Sequence, residues 1–173
     1  MPEYDHREQP TLGHTKGLIT LEGRKDIAEA SADMAEQAAR ELLILSPSLE
    51  PALYDREPFP RAVRRLALAR ANLPVRVLVL DPRAASQTGH RLIELARRLT
   101  SRIAIQRLDE DDQARPDAFL VADGRGYIHR RLAANMEAVA SFNDPLEARR
   151  LRGEFERLWE RSRVDSELRR LFI

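Results

Sequence analysis

The order of helical and apolar runs predicts an α/β domain built on a mixed, mainly parallel sheet with helices on both faces. Three observations carry this expectation. Helix-spaced segments and short apolar runs follow one another as αβαβαβ from Arg24 to Leu108. The run Val75 to Leu80, VRVLVL, is too apolar for a strand with one face in water. Asn143-Asp144-Pro145 opens a long final helix, with Asp at the cap and Pro in the first turn.

Taken in order, residues 1–23 hold Pro- and Gly-containing turns without sustained periodicity. They read as an N-terminal arm whose run Leu18 to Leu21 can add an edge strand, and the domain proper spans 24–173. From Arg24 to about Arg40, Ile27, Met34, Ala38 and further alanines recur near helical spacing, and Leu42 to Leu45 follows as a buried strand. Ser46-Pro47-Ser48 closes it. A loop bounded by Pro58 and Pro60 opens a second helix, in which Val63, Leu66, Leu68 and Ala69 alternate with arginines. After VRVLVL, a third helix runs from about Gly89 to Leu99, and Ile103 to Leu108 alternates apolar and polar residues as a strand does. Asp109 to Asp112 is an acidic loop. Ala118 to Val121 and Tyr127-Ile128 read as two strands of a hairpin turning through Asp123 to Gly126. Val139 to Phe142 is a further strand, and the last helix reaches about Ser162, burying Leu146, Phe155, Leu158 and Trp159.

Composition narrows the chemistry. A chain of 173 residues, 43% hydrophobic, has enough apolar content for one core and favours one domain. Its 29 basic and 28 acidic side chains nearly cancel, which argues against a dedicated polyanion binder and against an acidic tail. The absence of cysteine excludes thiol catalysis, disulfides and cysteine-ligated zinc. A polar start and the lack of any apolar stretch near the roughly 20 residues of a spanning helix point to a cytoplasmic protein without a membrane partner. The only lysines are Lys16 and Lys25, so chemistry that needs a lysine has no candidate beyond them.

The ending, with Asn135-Met136-Glu137, a strand, Asp-Pro and a helix carrying Phe155, Leu158 and Trp159, resembles the second portion of a phospholipase D superfamily half-domain. The resemblance covers about residues 24 to 163. In that family a His-x-Lys-x-x-x-x-Asp signature precedes a hairpin. The corresponding stretch here, Arg115 to Asp123, places Arg115 at the His and Asp117 at the Lys, with the acidic position on Ala122 and Asp123 one residue later. Tyr127 to Arg131 replaces the usual Gly-Ser segment, while Asn135 and Glu137 keep the family's residue types. The resemblance therefore implies the fold and a degenerate site. Phosphodiester cleavage through a phosphoryl-enzyme needs an attacking imidazole, a second imidazole as acid and cations on the oxygens. Arginine can hold oxygens but cannot attack.

The expected function is a noncatalytic module that binds a protein partner or an anionic ligand through the remnant cleft, lined by Arg115, Asp117, His129, Asn135 and Glu137. The alternatives are a hydrolase or transferase with a rebuilt site around His129, Glu137 and Arg115, and nucleic-acid binding through ten arginines between Arg61 and Arg102. The resemblance also implies a homodimer, because such half-domains pair about a two-fold axis, and an acetyltransferase-type partner, because degenerate relatives can accompany such a domain. No cofactor is expected. The histidines at 6, 14, 90 and 129 have no metal-ligand spacing, and Asp109 to Asp112 lacks the Gly and terminal Glu of a calcium loop. Ser46 and Ser48, and the polar loop Asp81, Arg83, Ser86, Thr88, Gly89 and His90, read as helix caps and helix starts before they read as ligand loops.

Overall fold

The computed structural model describes Tyr4, residues 8–87 and residues 89–164. Thr88 of the polar loop, His6 and the segment 165–173 of the expected domain lie outside the described residues. The arm leads into strand β1 (Ile19–Glu22), followed by helix α1 (Gly23–Gln37), β2 (Leu42–Ser46), the single turn α2 (Pro51–Tyr54) and α3 (Phe59–Ala69). Then come β3 (Val75–Val79), the short α4 (Pro82–Ser86), α5 (Arg91–Arg98) and β4 (Ile103–Arg107). The last third holds β5 (Ala118–Ala122), β6 (Gly126–Arg130), β7 (Glu137–Ser141) and α6 (Pro145–Arg161). The two short helices fall where the sequence suggested loops. Each begins with proline, at Pro51 and Pro82, and Asp81 caps the second by accepting from the Arg83 N–H at 3.0 Å.

The strands form one sheet in the order β1-β7-β6-β5-β2-β3-β4. β2, β3 and β4 pair in parallel, with helices making the crossovers. The four other pairings, from β1 across to β2, are antiparallel. The sheet is mixed and helix-covered on both faces, as expected, but the parallel majority is corrected to an antiparallel one. The cause lies in the connections. No helix separates β5, β6 and β7; the turn after β5 is tight, with Asp123 and Gly124 in the left-handed region at φ +56° and +63°, and so direct a return is antiparallel.

Alternation along the strands sorts the core into two layers. Leu42 and Ile44 of β2, Val77 of β3 and Leu120 of β5 face α1, α3 and α5. Leu43, Leu45, Leu78, Phe119 and Val121 face α6, which contributes Ala148, Leu151, Phe155 and Leu158. β2 and β5 are buried at every position, which explains their unbroken apolar sequences. Two expectations for α6 are corrected. Leu146 is 85% exposed, because it sits two residues before Ala148 and thus about 200° around the helix from the buried stripe. Trp159 is half-buried at the margin of that stripe, stacked on Phe155 with ring centroids 5.8 Å apart.

Candidate functional site

At the end of the sheet where β2 and β3 finish and β5 begins, charged side chains gather on both faces. Called here the Ser46 end, it contains three of the five residues expected to line a cleft. Asp117, just before β5, takes two hydrogen bonds from Arg115, at 3.0 and 2.9 Å, and one from His129 Nε2 at 3.0 Å. Register explains the meeting: His129 pairs with Phe119 across β5 and β6, so its ring projects toward α6 and lies edge-on to Phe119 at 6.1 Å. Arg115 also reaches Glu154 of α6 at 2.8 Å. Burial alone would raise the Asp117 carboxyl, but the hydrogen bonds from His129 and Arg115 outweigh it and hold the group at about 2. Burial likewise opposes the Arg115 charge, and its bonds to Asp117 and Glu154 more than compensate.

One residue along β6 the chain crosses to the other face. Arg130 is 2% exposed and forks onto Glu50 at 2.6 and 3.0 Å, with a third bond to the Ala133 carbonyl. Ser46, fully buried at the tip of β2, donates to Glu50 at 2.7 Å and accepts from the Leu49 N–H. Burial pushes the neighbouring Tyr54 hydroxyl up to about 12. The two clusters are separated by the sheet, so the arrangement is two closed ion-pair networks and not one pocket.

Asn135 and Glu137 stay outside both networks. Both are exposed, on the approach to β7 and at its first residue, where Glu137 lies opposite Glu22. His90 caps α5: its Nδ1 accepts from the Leu92 N–H at 3.1 Å, so the ring proton sits on Nε2 and is donated to the Leu49 carbonyl at 2.9 Å. The acidic loop is tied down, since Arg161 reaches Asp112 at 3.3 Å and Arg163 reaches Asp109 at 3.6 Å. Among the described residues no group of three or more His, Asp or Glu could hold a metal ion. The partners that sequence reasoning missed are Glu50 and Glu154. Glu154 carried a signal, because it precedes the buried Phe155 and follows Leu151 by three, at the edge of the sheet-facing stripe.

Arginines of the segment 61–102 divide by role. Arg65 donates to the carbonyls of Ala35, Glu36 and Ala38 at the end of α1, and Arg102 to those of Ala67 and Arg70 at the end of α3. Arg76 pairs with Glu156 and lies over the rings of Phe155 and Trp159 at 5.5 and 5.4 Å. Three of the ten are therefore internal fasteners. Arg91, Arg98 and Glu94 share the exposed side of α5, as their helical spacing indicated.

The topology and the place of the hairpin define a phospholipase D-like fold, and solved structures agree. Nuc from Salmonella typhimurium, a phospholipase D family member, aligns over 86% of this chain and 97% of its own at 13% identity, with a TM-score of 0.62. NucT from Helicobacter pylori aligns over 87% and 98% at 10% identity and the same TM-score of 0.62. TrmBL2, an archaeal chromatin protein described with a novel mode of DNA binding, also scores 0.62 at 14% identity over 86% of this chain, which spans only 54% of TrmBL2. By sequence the chain belongs to the family DUF7931, a domain of unknown function, matched over residues 23–171. No curated protein matches it. No helix among the described residues is long and apolar enough to cross a membrane.

Proposed function

We propose that this chain is a noncatalytic phospholipase D-like module that binds an anionic ligand or a partner. The observation that carries the reading is the closed pairing at the Ser46 end. A phosphoryl-enzyme mechanism requires an imidazole that attacks, a second that protonates, and cations left over for the phosphate. Arg115 and Arg130 are spent on Asp117, Glu154 and Glu50. His90 is bound to backbone through both ring nitrogens, and His14 belongs to the arm. A phosphate arriving at this end would have to displace Asp117 and Glu154 from Arg115 and Glu50 from Arg130. The likeness to TrmBL2 supports a binding role for the fold, and a homodimer or an acetyltransferase-type partner is the association that the half-domain resemblance suggests.

A second reading, a hydrolase rebuilt around His129, has one observation in its favour: Asp117 holds His129 as an orienting carboxylate holds a catalytic base. Hydrolysis of a chromogenic phosphodiester by the wild type and by His129→Ala separates the two. The module shows no turnover above background in either protein, whereas turnover by the wild type that is lost in the variant establishes the rebuilt site. Light scattering that yields a monomer mass across micromolar concentrations rules out the homodimer.

A further inference from the structure

At the opposite end of the sheet, where β2 and β3 begin and the β5–β6 turn lies, the surface folds into an open cavity of about 570 Å³. Five arginines and two carboxylates line it. Both carboxylates are already committed. Asp123 accepts from the backbone N–H groups of Ala39, Arg40 and Glu41 at 2.9, 2.7 and 3.0 Å, and Glu41 pairs with Arg152. Arg40, Arg70, Arg125 and Arg149 are all exposed, and none has a carboxylate partner among the described residues.

Carbonyl capping is the common structural role of arginines near helix C-termini. It does not account for Arg40 and Arg70, which follow the ends of α1 and α3. The carbonyls at those ends are already taken by Arg65 and Arg102, which reach in from α3 and from the residue before β4. Two helix ends that would repel an anion are thus neutralised in advance, and four guanidinium groups remain around one hollow. Its lining contains no aromatic ring on which a base could stack, so the chemistry recognised is that of the charged groups alone.

We propose that this cavity is an anion-binding site for closely spaced phosphates, the chemistry shared by a nucleic-acid backbone and a small polyphosphate. Guanidinium groups bind phosphate oxygens through parallel N–H donors, and four of them, on three connections at this end of the sheet and on α6, would span neighbouring phosphates without reading sequence. The site lies away from the Ser46 end, and it stands whether or not that end is catalytic.

The test uses the full chain with two probes, a short fluorescein-labelled DNA duplex followed by anisotropy and inorganic tripolyphosphate followed by calorimetry. The cavity variant is Arg70→Gln/Arg149→Gln. The control is Arg64→Gln/Arg98→Gln, which removes the same charge from a groove shared with Glu57 and Glu94. The wild type should bind at least one probe, the cavity variant should bind it about tenfold more weakly, and the control should stay within about twofold. If the duplex is the ligand, the salt slope of its affinity falls by about two in the cavity variant. Binding of the duplex assigns a nucleic-acid strand, and binding of tripolyphosphate alone assigns a small ligand. No binding of either probe at low salt, or equal losses in the two variants, overturns the proposal. Phosphodiester hydrolysis plays no part in these readings, so this proposal and the noncatalytic one can fail separately.

Discussion

The two ends of the sheet draw on the same residue types and use them in opposite ways. At the Ser46 end, Arg115 and Arg130 are enclosed by Asp117, Glu154 and Glu50, and the side chains are largely withdrawn from water. At the Asp123 end the carboxylates turn inward to backbone and to Arg152, leaving Arg40, Arg70, Arg125 and Arg149 facing solvent. Counting arginines along the chain therefore says little about where an anion can bind. What decides it is whether each guanidinium has a carboxylate within reach, a property of strand register and helix phase.

The contrast is most easily broken at Arg130. Removing one partner of a buried pair leaves the other charge uncompensated, so Arg130→Gln should lower stability by about 3 kcal/mol in urea unfolding. The paired change Arg130→Met/Glu50→Leu should recover part of that loss, because two apolar side chains need no charged partner, while the buried Ser46 hydroxyl loses its acceptor on Glu50. If the single variant is as stable as the wild type, the Ser46 end is not held by ion pairing and the contrast between the ends dissolves.

A smaller effect comes from acid. The Asp117 carboxyl is held at about 2 in the folded chain against an ordinary 3.8, so its contribution is present above the ordinary value and lost as the pH falls from 3.8 toward 2. Allowing for partial solvent exposure, that contribution is about 1 kcal/mol. Asp117→Asn should remove it near neutrality and flatten the stability profile in that window. His90 acts at higher pH. Burial lowers its proton affinity below the ordinary 6.5, with Asp55 and the Leu49 carbonyl opposing, so the stability it contributes is present above 6.5 and lost as the pH falls below it. Urea midpoints measured at about pH 7 and about pH 5 check this, and equal midpoints at the two would contradict the account.

Much of the architecture was legible because periodicity and punctuation agreed. The strand VRVLVL, the hairpin through Asp123 and the Asp144-Pro145 start all fall where their residues place them. Sheet polarity was less legible: local pattern identifies a strand without stating its neighbours, and β5 enters beside β2 through a crossover that no local signal marks. The site was half-legible for the same reason. Arg115, Asp117 and His129 lie within fifteen residues of one another in the sequence and the fold brings them into contact, whereas Glu50 and Glu154 come from distant elements. Asn135 and Glu137 were chosen by residue type alone, and their positions by β7 keep them exposed.

The smallest expected effect is the most discriminating. If Arg70 and Arg149 have no internal partner, replacing both with glutamine breaks no ion pair and should leave unfolding stability within about 0.5 kcal/mol of the wild type. Like charges gathered around one cavity repel each other, so the change should be neutral or slightly stabilising at low ionic strength. Salt separates the two contributions. Near 1 M the screening length falls to about 3 Å, and any gain seen at low salt should disappear. A loss above about 1 kcal/mol that persists at high salt would mean that these arginines fasten the fold as Arg65 and Arg102 do. The two ends would then differ in geometry but not in purpose, and the case for an anion site would lose its footing together with the contrast that suggested it.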